Sequence, residues 1–74
     1  MNIEKIIQEM KTTLGYIEYC MNTNKQEEIQ KANQYFHGLA TATEIFTGRQ
    51  FYWTTDENKC YLVEMINGKT KKIA

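Results

Sequence analysis

His37 is the one side chain in this 74-residue chain that titrates near neutrality without help. Acid–base catalysis would require a partner for it, and Cys20 and Glu44 are the candidates. Glu44 lies seven residues further on, two helical turns away and out of direct reach. Folding the chain at its first turn brings Cys20 beside position 26, far from His37. His37 therefore reads as a histidine at the boundary of a packed helix. The two cysteines, Cys20 and Cys60, form no C-x-x-C pair, and a single histidine cannot complete a zinc set. They read as small buried hydrophobes. No phosphate loop or nucleophile elbow is present. The sequence implies no cofactor and no metal, and an enzyme is the least expected class.

Arg49 is the only arginine. With Gln50 it could grip a carboxylate or a phosphate, although a solvated residue near the C-terminal end of a helix dipole is the simpler reading. Phe51, Tyr52, Trp53 and Tyr61, with Lys59, Lys69, Lys71 and Lys72, would form an aromatic and basic sheet. Rings that stack on bases, with lysines that follow phosphates, are the equipment of single-strand nucleic-acid binders. A nucleic-acid or nucleotide ligand is accordingly the alternative function, with Arg49, Lys69, Lys71 and Lys72 as its polyanion contacts. The overall charge argues against it: nine basic residues balance nine acidic ones. Residues 1–46 carry a net −2 and residues 47–74 a net +2, so only the C-terminal third would draw a polyanion.

The elements that must position these residues begin with a seam of Ile3, Ile7, Met10, Leu14, Ile17 and Met21, spaced four and three in alternation. This spacing predicts a helix over 3–21 with one apolar stripe, capped by Asn2. Glu4, Lys11 and Glu18 would line its solvated face, and Tyr16 and Tyr19 its flanks. Asn22-Thr23-Asn24 breaks the pattern. Asn22 suits a left-handed helix end, and Thr23 with Gln26, or Asn24 with Glu27, offers a capping box for the next helix. That helix runs over 25–46 on a second seam of Ile29, Ala32, Phe36, Leu39, Thr43 and Phe46. A turn this tight makes an antiparallel hairpin, with Gly15 and Ala32 letting the backbones approach.

Gly48 ends the second helix, and the period then changes to two. Strands follow over 51–55, 60–66 and 69–73, with a loop at 56–59. Asn67-Gly68 is a strong two-residue hairpin signal. It sets Ile66 opposite Lys69, Met65 opposite Thr70, Glu64 opposite Lys71, Val63 opposite Lys72 and Leu62 opposite Ile73. The expected fold is one α+β domain over 1–74: an antiparallel two-helix hairpin and a three-stranded antiparallel β-meander, packed as two layers.

The central strand is apolar on both faces, whereas antiparallel sheets usually show one polar face. The face with Val63 and Met65 is expected to cover the helices. Leu62, Ile66, Ile73 and Tyr52, with Tyr16 and Tyr19 on the helical flank, are then left as an interface. A core this small is short of area by itself. The expectation is a small non-enzymatic protein-interaction module, self-associating as a homodimer or larger, that regulates or inhibits a partner protein. Phages and other mobile elements encode many such free-standing domains. The charged, amphipathic start is no signal peptide, and no apolar run reaches membrane length, so a cytoplasmic location with reduced thiols is expected.

Overall fold

A computed structural model describes residues 2–74. Two helices, α1 (Ile3–Asn22) and α2 (Gln26–Thr47), are followed by β1 (Gln50–Asp56), β2 (Lys59–Ile66) and β3 (Lys69–Lys72). The strands form one antiparallel sheet in the order β1-β2-β3. This is the expected α+β arrangement, a helical hairpin packed on a β-meander.

Asn2 caps α1: its side-chain oxygen accepts from the amides of Glu4 and Lys5 at 3.1 and 3.3 Å. The heptad seam then buries Met10, Leu14 and Ile17 against Ala32 and Phe36 of α2 and Phe51 and Leu62 of the sheet. Thr13, beside the α1 seam, and Thr43, in the α2 seam, are buried as well. Each satisfies its hydroxyl by donating to the carbonyl four residues back, Glu9 at 2.8 Å and Leu39 at 2.7 Å. A buried threonine is tolerated in a helix under that condition.

The turn between the helices differs from the sequence expectation. Asn24, not Asn22, takes the left-handed conformation, with φ 57°. No capping box forms; Lys25 occupies the N-cap position of α2 and its side chain makes no capping bond. Thr23 instead turns its hydroxyl back to the Tyr19 carbonyl at 2.9 Å, and the Lys25 amide closes the turn on Cys20 at 2.9 Å. Held back on α1 by its bond to Tyr19, the Thr23 oxygen accepts no amide at the start of α2.

Gly15 is not a contact glycine. A Cβ there would meet nothing within 4 Å, and the same holds at Gly38. Both are exposed positions inside helices, where glycine only adds unfolded-state entropy. Gly15→Ala and Gly38→Ala should each raise stability by about 0.5–1 kcal/mol in urea denaturation, without a change in m-value. Phe46, expected in the seam, is 74% exposed. Tyr16 meets Glu28 and Tyr35 meets Glu9 across the hairpin, an offset that sets Phe46 beyond the start of α1.

Gly48 takes φ 75° and its amide bonds the Glu44 carbonyl at 2.8 Å, ending α2 as its position predicts. The β2–β3 register matches the Asn67-Gly68 expectation from Val63–Lys72 to Ile66–Lys69. β3 ends at Lys72 in the ladder, and backbone bonds between Leu62 and residues Ile73 and Ala74 continue the pairing. The β1–β2 connection is tighter than the expected four-residue loop. Glu57 and Asn58, at φ 51° and 65°, form a two-residue turn of the same left-handed kind.

Candidate functional site

The strand register assigns every sheet residue to one of two faces. Phe51, Trp53, Cys60, Leu62 and Glu64 face the helices, and Ile73 packs there too. Tyr52, Thr54, Tyr61, Val63, Met65, Thr70 and Lys72 share the opposite, uncovered face. This reverses the expected packing, in which Val63 and Met65 were to cover the helices. Leu62 is fully buried at 0% exposure, so it lies in the core and not on a free surface. Ile73 is half-buried against the same core. Ile66 shares their face but sits at the end of β2, and stays 43% exposed.

Two contacts made by sheet side chains help hold this face against the helices. Glu64 is only 7% exposed. A carboxylate can be buried there because Arg49 grips it with two bonds, Nε to Oε2 and Nη2 to Oε1, both 2.8 Å. Arg49 reaches that position because Gly48 turns the chain at the end of α2, and its guanidinium also lies 5.0 Å from the centre of the Phe51 ring. Arg49 and Lys71 together hold the Glu64 carboxyl below its ordinary value, the Arg49 hydrogen bonds being the main cause. The second contact is Trp53, whose Nε1–H donates to Asn33 Oδ1 on α2 at 2.8 Å. Asn33→Leu would leave that indole proton without a partner, and should lower stability by about 1–2 kcal/mol in thermal or urea unfolding.

Arg49 is therefore an internal structural ligand of Glu64, not a free polyanion contact. Its affinity for carboxylate was legible from its type, but the carboxylate belongs to its own chain. The lysines are also divided. Lys69 and Lys71 share the Glu64 face of β3, while Lys72 lies on the free face with Lys59. Lys72 Nζ stands 3.9 Å from the centre of the Tyr61 ring. The free face thus holds Tyr52 and Tyr61 with Lys59 and Lys72, while Phe51 and Trp53 pack inward.

On the helical side Tyr16 and Tyr19 are exposed, as expected, and their rings stack with centroids 6.4 Å apart. Lys25 caps this pair, its Nζ 5.3 Å from the Tyr19 ring centre. Tyr16 donates to Glu28 at 3.3 Å and Tyr35 to Glu9 at 2.8 Å, so each tyrosine bridges the two helices. A groove of about 440 Å³ lies between these bridges, floored by Ala32 and Thr13.

His37 is exposed and lines a smaller cleft of about 180 Å³ between α2 and β1, with Thr41, Glu44, Tyr52 and Trp53. Neither thiol reaches this cleft: Cys20 is buried near the helical turn and Cys60 opens onto a different depression beside Glu18. Burial pushes the Cys60 thiol up, and the Glu18 carboxylate adds to it, so the thiolate that nucleophilic chemistry requires is disfavoured. Among the described residues no group of three or more His, Cys, Asp or Glu is placed to hold a metal, and no helix is long and apolar enough to cross a membrane.

Glu18 corrects another expectation. Its spacing with Glu4 and Lys11 predicts a solvated position on α1, yet its Oε1 accepts the Cys60 backbone amide at 2.9 Å. It thereby ties α1 to the sheet. The sequence does hint at Glu64: it is the one charge inside an apolar strand, in a chain with one arginine nearby. Glu18 and Asn33 carry no comparable signal, because both sit on helical positions that would be equally at home in water. No protein-family model matches the chain, and no match to it was found among curated proteins or solved structures.

Proposed function

We propose that this domain is a small non-enzymatic protein-interaction module that self-associates and acts as a regulator or inhibitor by occupying a partner protein. The observation that carries the reading is the uncovered sheet face, where Tyr52, 47% exposed, lies beside Tyr61, Val63 and Met65. A sheet face this apolar gains by being covered, and the helices already occupy the other side. Nucleic-acid binding has less to stand on, because the register divides both the aromatic residues and the lysines between the two faces.

The test is solution mass by light scattering over a concentration series, for the wild type and for Tyr52→Asp. The reading expects a wild-type dimer or larger species. It expects Tyr52→Asp, in the same fold by circular dichroism, to dissociate at higher protein concentration. A wild-type monomer throughout the series would sink self-association.

A further inference from the structure

The two edges of the sheet are built differently. β3 reads Lys69-Thr70-Lys71-Lys72, four exposed residues with three positive charges. Lysine on a short strand is a standard guard against further pairing. β1 reads Gln50-Phe51-Tyr52-Trp53-Thr54-Thr55-Asp56 and carries no charge before its last residue. It holds no proline, and its composition favours extended backbone. One edge is thus protected and the other is open.

The hydrogen-bond parity of the sheet shows which groups are open. Leu62 exchanges backbone bonds with Ile73 and Ala74, so the even-numbered residues of β2 point toward β3. The odd-numbered ones point toward β1, where their partners are Gln50, Tyr52 and Thr54. The amides and carbonyls of Phe51, Trp53 and Thr55 therefore face away from the sheet. Among the described residues no backbone or side-chain group bonds to them across that edge. A cleft between α2 and β1, lined by His37, Thr41 and Glu44 on one side and by Phe51, Tyr52 and Trp53 on the other, adjoins the strand.

We infer that β1 pairs antiparallel with β1 of a second copy of this chain, joining two three-stranded sheets into one of six strands. This rests on the self-association proposed above and places it at the strand edge, where Tyr52 lies opposite Thr54 of the second copy, so that the open face stays free for the partner protein. The second copy is the occupant because the strand is self-complementary about its centre. A twofold axis at Trp53 sets Trp53 opposite Trp53 of the second copy, and Phe51 opposite Thr55 of the second copy. All six outward-facing residues, three from each copy, then lie in hydrogen-bonded pairs. At the ends Gln50 meets Asp56 of the second copy, an amide against a carboxylate, and no like charges are opposed. Pairing through β3 would instead bring lysines against lysines. In the joined sheet the two Tyr52 faces become one continuous surface on the side away from the helices.

The experiment combines amide hydrogen exchange of the whole protein with light scattering, under reducing conditions. The expected result is slow exchange at Phe51, Trp53 and Thr55 that appears as concentration drives the dimer, with little concentration dependence at Tyr52 or Thr54. Thr55→Pro removes one outward amide per copy and no bond of the β1–β2 ladder. It should raise the dimer dissociation constant about tenfold. A dimer whose Phe51, Trp53 and Thr55 amides exchange freely would overturn the edge pairing and leave self-association standing. A monomer at every concentration would overturn both and leave the edge to an extended segment of another protein. The exchange measurement uses the wild type, so it decides the matter even where Thr55→Pro fails to fold.

Discussion

Replacing Arg49 with alanine should destabilise the domain by about 2–3 kcal/mol at pH 7, and by much less in acid. The cause is Glu64. Its carboxylate is 7% exposed and takes both of its short bonds from Arg49. Removing one member of a buried pair leaves the other charged and desolvated, which costs more than the pair itself contributes. The Arg49 side chain is 39% exposed, so solvent screens part of the attraction, and the figure is set below that for a fully buried pair. Lys71 stays opposite Glu64 and compensates in part.

The pH dependence follows from the sign of the shift. Glu64 is held below the ordinary 4.5 in the folded state. The unfolded chain therefore binds its proton first as pH falls. The pair's stabilisation is present in full above about pH 4.5 and is lost as pH drops through the lower folded value. In Arg49→Ala, burial without the guanidinium favours the neutral acid instead. The two stability curves should converge as pH falls below about 4.5 and through the lower folded value, measured by urea denaturation at each pH. Parallel curves would show that the ion pair is not what Arg49 contributes.

Leu62→Asp should unfold the protein outright. Leu62 is fully buried between the sheet and the helices, in one cluster with Met10, Leu14, Ile17 and Phe36. The substitution removes a core side chain and buries an unpartnered carboxylate, a combined cost above about 4 kcal/mol. A domain of this size has little more than that to lose. The neighbouring Val63→Asp makes the informative contrast. Val63 points to the free face and lies opposite Lys72, so the variant should fold and lose less than about 1.5 kcal/mol. Circular dichroism and thermal melts of the two variants would separate the faces directly. If Leu62→Asp melted like the wild type, the sheet would have to pack the other way round.

Adjacent residues thus carry opposite expectations, and this marks the limit of what the sequence decides. The heptad spacing from Ile3 to Met21 and from Ile29 to Thr43 determines two helices and their antiparallel packing. Gly48 determines where the second one stops. Asn67-Gly68 determines the β2–β3 register, because only left-handed residues make so short a turn. These are local matters: each depends on backbone geometry within a few residues, and each is recovered in the structure to within a residue or two. The side of the sheet that meets the helices is not local. Leu62 and Cys60 on one face, and Tyr61, Val63 and Met65 on the other, are nearly equal in apolar character. Alternation alone therefore leaves two packings of similar energy, and the presence of Glu64 beside Leu62 biases a reading toward the wrong one. Three contacts between residues 15 to 42 positions apart settle it: Arg49 with Glu64, Trp53 with Asn33, and Glu18 with the Cys60 amide. Each gives a polar group that would prefer water a hydrogen-bond partner inside the protein. The open edge of β1 has the same origin. The sequence determines that a strand forms there, but only the strand order places it at the rim of the sheet, with three residues' backbone groups facing outward.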